Sequence, residues 1–255
     1  MLTFADRLRK GETVYSIWSQ LGSRELITQL ALADFDAVVI DMQHGTHSDD
    51  TIVTCSEAII GVGKIPITRL PVNRFDAASR ALDLGFEAVI APMINSKADA
   101  EEFASYMKYP PIGSRSWGAR RANQLHGVEA GDYLQTANEK TLSFAMIETR
   151  AAYENFDEII SVDGIDGVFV GPSDFSIDYS NGAAVNGDMP ETQKQLEEMP
   201  KRAKALGKLS GIFAATPETS VKYAKWGYNF VNVSYDLALI KAGSDAFLKA
   251  AELKD

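Results

Sequence analysis

What most constrains this chain is a local pattern that keeps returning. Short, apolar, β-rich runs occur at Thr13–Trp18, Asp36–Asp41, Ile65–Leu70, Glu87–Pro92, Leu142–Glu148, Asp166–Gly171, Lys208–Phe213 and Asn229–Ser234, eight in all. Many are apolar at nearly every position instead of alternating, as strands buried on both faces of a parallel sheet must be. Segments of helical character separate them. Arg24–Ala33 carries Leu26, Ile27 and Leu30; Thr51–Val62 carries Ile52, Val53, Ile59 and Ile60; Arg74–Leu84 carries Phe75, Ala78 and Leu82. Ala98–Met107 carries Phe103 and Met107, and Ser96 with Asp99 resembles a capping box; Tyr153–Ser161, Glu191–Leu206 and Thr219–Trp226 follow. Leu84-Gly85-Phe86, Leu206-Gly207-Lys208 and Trp226-Gly227-Tyr228 each place glycine between a helix end and a strand start, where a left-handed residue closes a helix. Eight such units in 255 residues predict an α/β fold, a (β/α)8 TIM barrel forming one domain over residues 1–255. An open doubly wound sheet is the main competitor, but it usually has fewer strands, and no GxGxxG follows the first strand.

Composition narrows the partners. A net charge of −10 argues against nucleic acid and anionic membrane surfaces. No run approaches the roughly 20 apolar residues of a membrane span, and MLTFADRLRKGE lacks the apolar core of a secretory signal. The lone Cys55 excludes an internal disulfide framework and fits a reducing compartment. The expectation is a cytoplasmic protein acting on small molecules. Two long connections, Asn95–Lys140 with its YPPIGSRSWGARRANQLHG stretch and the turn-rich Phe175–Met199, are of the kind that covers active sites. A last helix is expected at about Ser244–Leu253.

In such barrels the chemistry lies at the C-terminal ends of the strands. There the chain presents Trp18, a candidate substrate contact; Asp41-Met42-Gln43-His44-Gly45; Arg69; Ala91-Pro92-Met93; Glu148; Gly171-Pro172-Ser173-Asp174; Ala214-Ala215-Thr216; and Ser234-Tyr235-Asp236. Glu148 and Asp174 follow the two parallel strands of one βαβ unit, where neighbouring strands run about 4.8 Å apart. Without a His or Cys partner, two carboxylates suit a hard divalent cation and leave Mg²⁺, Mn²⁺ and Co²⁺ open; the plainer reading is a pair of surface acids or salt bridges. Arg69 is either an ion-pair partner or a fork for a carboxylate or developing enolate oxygen. His44 is a general base or a loop histidine. His47 reads as a solvated loop residue, Asp41 as a cap or an orienter of His44, and Asp83 as an exposed helix acid; His126 has no role. Lys64, Lys140 and Lys208 precede strands, at the wrong end for a Schiff base, and Lys97 lies in a helix-start loop. The loops after the last two strands lack a Gly-rich phosphate cradle, which leans towards a non-phosphorylated substrate.

FDAVVIDMQHG, ITRLPVN, ALDLGFEAVIAPMINS, YPPIGSRSWG, FAMIETRAAYENFDEI and GIDGVFVGPSDFS, which span nearly the whole chain, together resemble the HpcH/HpaI aldolase family of class II, metal-dependent pyruvate aldolases. The resemblance implies a (β/α)8 barrel whose final helix is exchanged between subunits of a homo-oligomer, a hexameric trimer of dimers. It implies a divalent-metal cofactor and reversible cleavage of a 4-hydroxy-2-oxo acid, through an enolate, to an aldehyde and pyruvate or a related 2-oxo acid such as hydroxypyruvate. By this resemblance Glu148 and Asp174 are metal ligands, Arg69 binds the keto or enolate oxygen, and His44 is the general base. Asp83 is that histidine's acidic partner from across a subunit interface, Asp41 an acid linked to the aldol step, and the Gly171-Pro172-Ser173 backbone the carboxylate seat. Gln43 departs from the family's usual Glu, and Ser116-Trp117 from the expected smaller residues, which puts the acceptor aldehyde in question. The alternatives are an oxaloacetate-type decarboxylase using the same enolate, a relative of citrate lyase β-chains and malyl-CoA lyases, and a non-catalytic oxo-acid-binding barrel. The lyase relatives need a CoA-sized basic site that this acidic chain shows poorly.

Overall fold

Every one of the apolar runs becomes a strand, and the strands close on themselves. The computed structural model describes residues 3–252. In chain order, α1 (Phe4–Arg9) leads into β1 (Val14–Ser19), α2 (Arg24–Leu32), β2 (Ala37–Asp41), α3 (Asp49–Gly61), β3 (Ile65–Arg69), α4 (Ala77–Asp83) and β4 (Ala88–Ala91). Then follow α5 (Lys97–Met107), α6 (Arg120–His126), α7 (Ala130–Lys140), β5 (Leu142–Ile147), α8 (Arg150–Glu154), α9 (Phe156–Ile160) and β6 (Gly167–Val170). The chain ends with α10 (Pro172–Tyr179), α11 (Pro190–Ala205), β7 (Leu209–Ile212), α12 (Pro217–Trp226), β8 (Phe230–Tyr235) and α13 (Asp236–Ala250). The strands pair in parallel from β1 to β8, and β8 pairs back with β1, giving a closed eight-stranded barrel. Gly85, Gly207 and Gly227 take φ of +96°, +71° and +107°, as the helix–glycine–strand pattern requires.

The core has two shells. Outward-facing strand residues such as Ile40, Val89 and Val168 meet helix residues such as Ile59, Leu82 and Phe103. Inward-facing Val39, Ile67, Ile90, Phe144, Phe169 and Phe230 fill the barrel. Phe4 closes its N-terminal end, packing edge-on against Phe230 with ring centroids 5.2 Å apart, while its backbone N–H donates to Glu87 at 2.8 Å. Gly211 makes room for this aromatic filling, since a Cβ there would lie 2.6 Å from Phe169.

Four expectations are corrected. The single helix at Tyr153–Ser161 is two short ones, α8 and α9, broken at Asn155, whose side-chain amide donates to the Asn95 carbonyl at 2.8 Å. Asparagine offers the backbone such alternatives to continued helix. The Asn95–Lys140 connection contains α6 and α7; α6 buries only Ala122, and α7 only Tyr133 and Ala137, so neither shows a broad apolar stripe. Phe175–Met199 overlaps α10 and α11, and α10 begins immediately behind β6 with Pro172 in its first turn. The last helix starts at Asp236, directly after β8, and runs to Ala250; the predicted end at Leu253 lies outside the described residues. It stands off its own barrel: only Asp236 is buried, and Leu237, Ile240 and Phe247 are 46%, 48% and 81% exposed. No helix among the described residues is long and apolar enough to cross a membrane.

Phe4→Ala should lower stability by about 3–5 kcal/mol, the usual cost of emptying a buried aromatic site, read as a lower urea midpoint. A change below about 1 kcal/mol would detach the N-terminal plug from the cooperative core.

Candidate active site

The register of β2 and β3 sets Asp41 opposite Arg69. The guanidinium forks onto the carboxylate, Nε to Oδ1 at 3.0 Å and Nη2 to Oδ2 at 2.6 Å, and both side chains are buried. Trp18 Nε1 donates to the same carboxylate at 3.1 Å, and its ring lies 5.0 Å beneath the guanidinium carbon. The backbone N–H groups of Gln43 and His44 donate to Asp41 Oδ1 at 3.0 and 3.2 Å. Burial opposes ionisation of Asp41, but Arg69's hydrogen bonds and charge outweigh it and hold the pKa below the usual range. Asp41 is therefore a buried anion that orders Arg69, Trp18 and the start of the His44 loop. Arg69 is in an ion pair, as the plainer reading had it. Its Nη1 still has no hydrogen-bond partner among the described residues.

Glu148, just past β5, is 1% exposed. Its protein hydrogen bond comes from the Met93 backbone N–H at 2.8 Å. Met93 holds φ at +56°, a conformation uncommon outside glycine, and this turn after β4 aims the N–H at the carboxylate. Gly171 leaves the space on the other side: a Cβ there would sit 2.9 Å from Glu148 Oε2 and 2.7 Å from Met146 Cε. Next, Pro172 opens α10, and Asp174 lies in its first turn. Burial, and then the charge of Asp174, push the Glu148 carboxyl up to about 7, against the Met93 N–H and the charge of Arg69.

A buried carboxylate with one hydrogen bond lies within the field of a second carboxylate, and a divalent ion held by both would relieve the repulsion. Among the described residues no cluster of three or more His, Cys, Asp or Glu side chains could hold a metal. The chain thus offers two oxygen donors and leaves coordination positions for other oxygens, which fits a hard divalent ion. The first-turn N–H groups of Ser173 and Asp174 have no intrahelical acceptor, so the N-terminus of α10 favours an anion beside the carboxylate pair.

Other expected residues fall differently. The His44 ring is exposed and makes no hydrogen bond among the described residues. Asp83 ends α4, which runs against the strands, so it lies towards the opposite end of the barrel from His44. It is not a free surface acid: Arg115, buried and stacked 4.5 Å from the Tyr109 ring, donates to Asp83 Oδ1 at 2.7 Å. The YPPIGSRSWG stretch is thereby folded around Arg115. His47 is buried, not solvated, with Nε2 at 3.2 Å from Ser19 Oγ. Trp18 is 1% exposed and supports Arg69. Gln43 keeps its Oε1 buried and unpaired. His126 Nε2 lies 2.8 Å from the Gly85 carbonyl oxygen. The sequence placed Met93 on the rim but gave it no role, because nothing in a methionine signals positive φ; Ser19 was missed, because a serine ending an apolar strand is unremarked. A cavity of about 460 Å³ opens at the other end of the barrel among Ile65, Phe86, Glu87, Leu125, His126 and Lys140, but it contains none of the rim residues.

Residues 15–242 match the family model for HpcH/HpaI aldolase/citrate lyase. The chain belongs to the HpcH/HpaI aldolase/citrate lyase family. It is similar to a hydroxypyruvate/pyruvate aldolase of Rhizorhabdus wittichii, 39% identical over 92% of this chain and 92% of that protein. A 4-hydroxy-2-oxo-heptane-1,7-dioate aldolase of Klebsiella pneumoniae is 32% identical over 95% of this chain and 91% of its own length. The crystal structure of an HpcH/HpaI aldolase from Desulfitobacterium hafniense, at 23% identity, shares the fold with a TM-score of 0.89, covering 100% of this chain and 98% of that one.

Gly171→Ala should leave the barrel folded but weaken Mn²⁺ binding roughly 10–100-fold, as displaced supports of metal ligands do; unchanged affinity by calorimetry would remove Gly171 from the site. The raised Glu148 carboxyl also fixes a pH dependence. In the metal-free protein its contribution to stability is full below the ordinary value of 4.5 and is lost as pH rises through about 7. Below about 7 an incoming ion must also displace the proton. The rise in Tm on adding Mn²⁺ should therefore be larger at pH 8 than at pH 6, and equal rises would argue against Glu148 as a ligand.

Proposed function

We propose that this chain is a divalent-metal-dependent aldolase, a carbon–carbon lyase that reversibly cleaves 4-hydroxy-2-oxo acids to an aldehyde and pyruvate, or a related 2-oxo acid such as hydroxypyruvate. The observation that carries the reading is the under-paired, buried Glu148, which lies within the opposing fields of Asp174 and Arg69. Imine chemistry lacks its residue: none of the eight strands contains a lysine, and Lys64 and Lys208 bond carbonyls near the strand starts.

Glu148 and Asp174 would hold the ion, and Mg²⁺, Mn²⁺ and Co²⁺ all suit this donor pair. When bound, a divalent ion supplies Lewis acidity to the keto oxygen of the 2-oxo acid. The remaining work belongs to the chain. The Gly171-Pro172-Ser173 backbone and the N-terminus of α10 seat the substrate carboxylate. Arg69, its plane fixed by Asp41 and the Trp18 ring, offers Nη1 to the oxygen on which enolate charge develops. In cleavage His44 takes the proton of the 4-hydroxyl; the C3–C4 bond breaks, its electrons pass into the enolate, and the aldehyde leaves. His44 then returns a proton to C3, giving pyruvate.

Asp83 would reach a partner's base only across copies, in keeping with a homo-oligomer, a hexameric trimer of dimers, whose protomers exchange α13. The apolar residues that α13 exposes support that exchange. A reducing, cytoplasmic setting suits Cys55, a lone buried thiol pushed up to about 11 by burial.

The decisive experiment is hydrogen–deuterium exchange at the methyl group of pyruvate, followed by NMR with and without chelator. Exchange should require the metal; exchange that survives chelation and is trapped by borohydride would replace the mechanism with a Schiff base. Arg69→Lys, which keeps the charge but loses the fork, should cut turnover roughly 10²-fold with Mn²⁺ affinity retained. Unchanged turnover would end the role given to Arg69.

A further inference from the structure

The loop that carries His44 is tied down on both sides. On the near side Asp41 accepts the N–H groups of Gln43 and His44. On the far side the loop is clasped to the one after β1: Thr46 N–H donates to the Gln20 carbonyl at 2.6 Å, and Gly22 N–H donates to Thr46 Oγ1 at 2.8 Å. The two glycines of the clasp permit this approach, since a Cβ on Gly22 would lie 2.5 Å from the Thr46 oxygen and one on Gly45 2.3 Å from the Asp41 carbonyl oxygen.

Beyond the clasp His47 turns inward to a chain of buried polar groups. Its Nε2 meets Ser19 Oγ at 3.2 Å, and Ser19 Oγ–H donates to Asp236 Oδ2 at 3.0 Å. The same carboxylate oxygen accepts the N–H groups of Gln20 and Leu21 at 2.8 and 2.9 Å, and Oδ1 accepts that of Leu237 at 2.8 Å. The single Ser19 hydroxyl proton has two acceptors, Asp236 at 3.0 Å and the Leu21 carbonyl at 3.4 Å; with either one Oγ is left to accept from Nε2–H, which places the proton on Nε2 and leaves Nδ1 bare. That Nδ1 is buried and has no partner. Burial lowers the pKa of the ring against the pull of Asp236 and Asp41, so it is neutral near pH 7.

A stranded acceptor does nothing for stability, and an apolar side chain would fill the space without one. The value of the histidine lies in its other nitrogen, which bolts the loop to β1 and, through Asp236, to the first residue of α13. We propose that His47 is a positioning residue for His44: the His47–Ser19–Asp236 chain holds the loop so that the otherwise unanchored His44 imidazole meets the substrate at one place. The inference rests on the reading of His44 as the proton-transfer group.

The test uses the full-length enzyme with Mn²⁺ and the rate of pyruvate methyl exchange, measured across pyruvate concentrations. His47→Leu and Ser19→Ala break the tie from its two sides. Both should slow exchange at saturating pyruvate roughly 10–100-fold, the cost of about 1 Å of misplacement, with half-saturating pyruvate and Mn²⁺ affinity unchanged. His47→Gln, which keeps a donor near the Nε2 position, should recover most of the rate. Wild-type rates in both His47→Leu and Ser19→Ala would overturn the proposal. So would a glutamine variant as slow as the leucine one, or a loss explained by weaker pyruvate or Mn²⁺ binding. If His47→Leu fails to fold, Ser19→Ala and His47→Gln decide. His44→Ala separates the two claims: undiminished exchange there refutes the proton-transfer role itself, whereas lost exchange there with normal exchange in the tie variants refutes only the positioning.

Discussion

The rim depends on the buried ion pair between Asp41 and Arg69. Neither charge is solvated, so each needs the other, and removing one partner of such a pair typically costs about 3–5 kcal/mol. A well-packed apolar pair would often be as stable, so the pair is better understood by what it orders than by what it stabilises. One carboxylate fixes the plane of Arg69, the indole of Trp18 and the backbone that enters the His44 loop. A group that must meet a developing charge without reorganising needs this rigidity, because the cost of orientation is met in folding and not at the moment of reaction.

Across the barrel the logic is inverted. Glu148 is buried beside another acid with only a backbone N–H to support it. Left alone, that arrangement destabilises the fold. Met93 accepts an uncommon backbone conformation to supply that N–H, and Gly171 gives up a side chain to make room. Local departures from the best-folding choice that converge on one point are characteristic of functional sites. Asp41 is over-satisfied and orders a fixed cation, Arg69, whereas Glu148 is under-satisfied, with one backbone N–H for its buried carboxyl.

Much of this was legible because parallel strands buried on both faces leave a plain trace. Near-continuous apolar runs give the strands, glycines at helix ends give the units, and unit number gives the barrel, which in turn puts Asp41, Arg69, Glu148 and Asp174 on one rim. What stayed hidden has physical reasons. The break at Asn155 depends on the Asn95 carbonyl, distant in sequence. The burial of His47 depends on Ser19 and Asp236, brought together by β1 and β8 closing the barrel. Asp83 stands isolated in sequence, but in the fold it pairs with Arg115, which stacks on Tyr109. Local pattern reports how a residue sits on its own element; it says little about which distant polar group meets it.

On the proposed reading, Glu148 and Asp174 would hold a divalent ion, which would supply Lewis acidity to the oxygens of a 2-oxo acid. The most direct test is the binding of oxalate, a planar mimic of the pyruvate enolate, measured by calorimetry against Mn²⁺. Binding linkage is reciprocal. Oxalate should bind only with Mn²⁺ present and should tighten Mn²⁺ by the same factor that Mn²⁺ tightens oxalate, with the coupling lost in Glu148→Gln and Asp174→Asn. Oxalate that binds the metal-free protein equally well, or that remains coupled to Mn²⁺ after either substitution, would contradict the account.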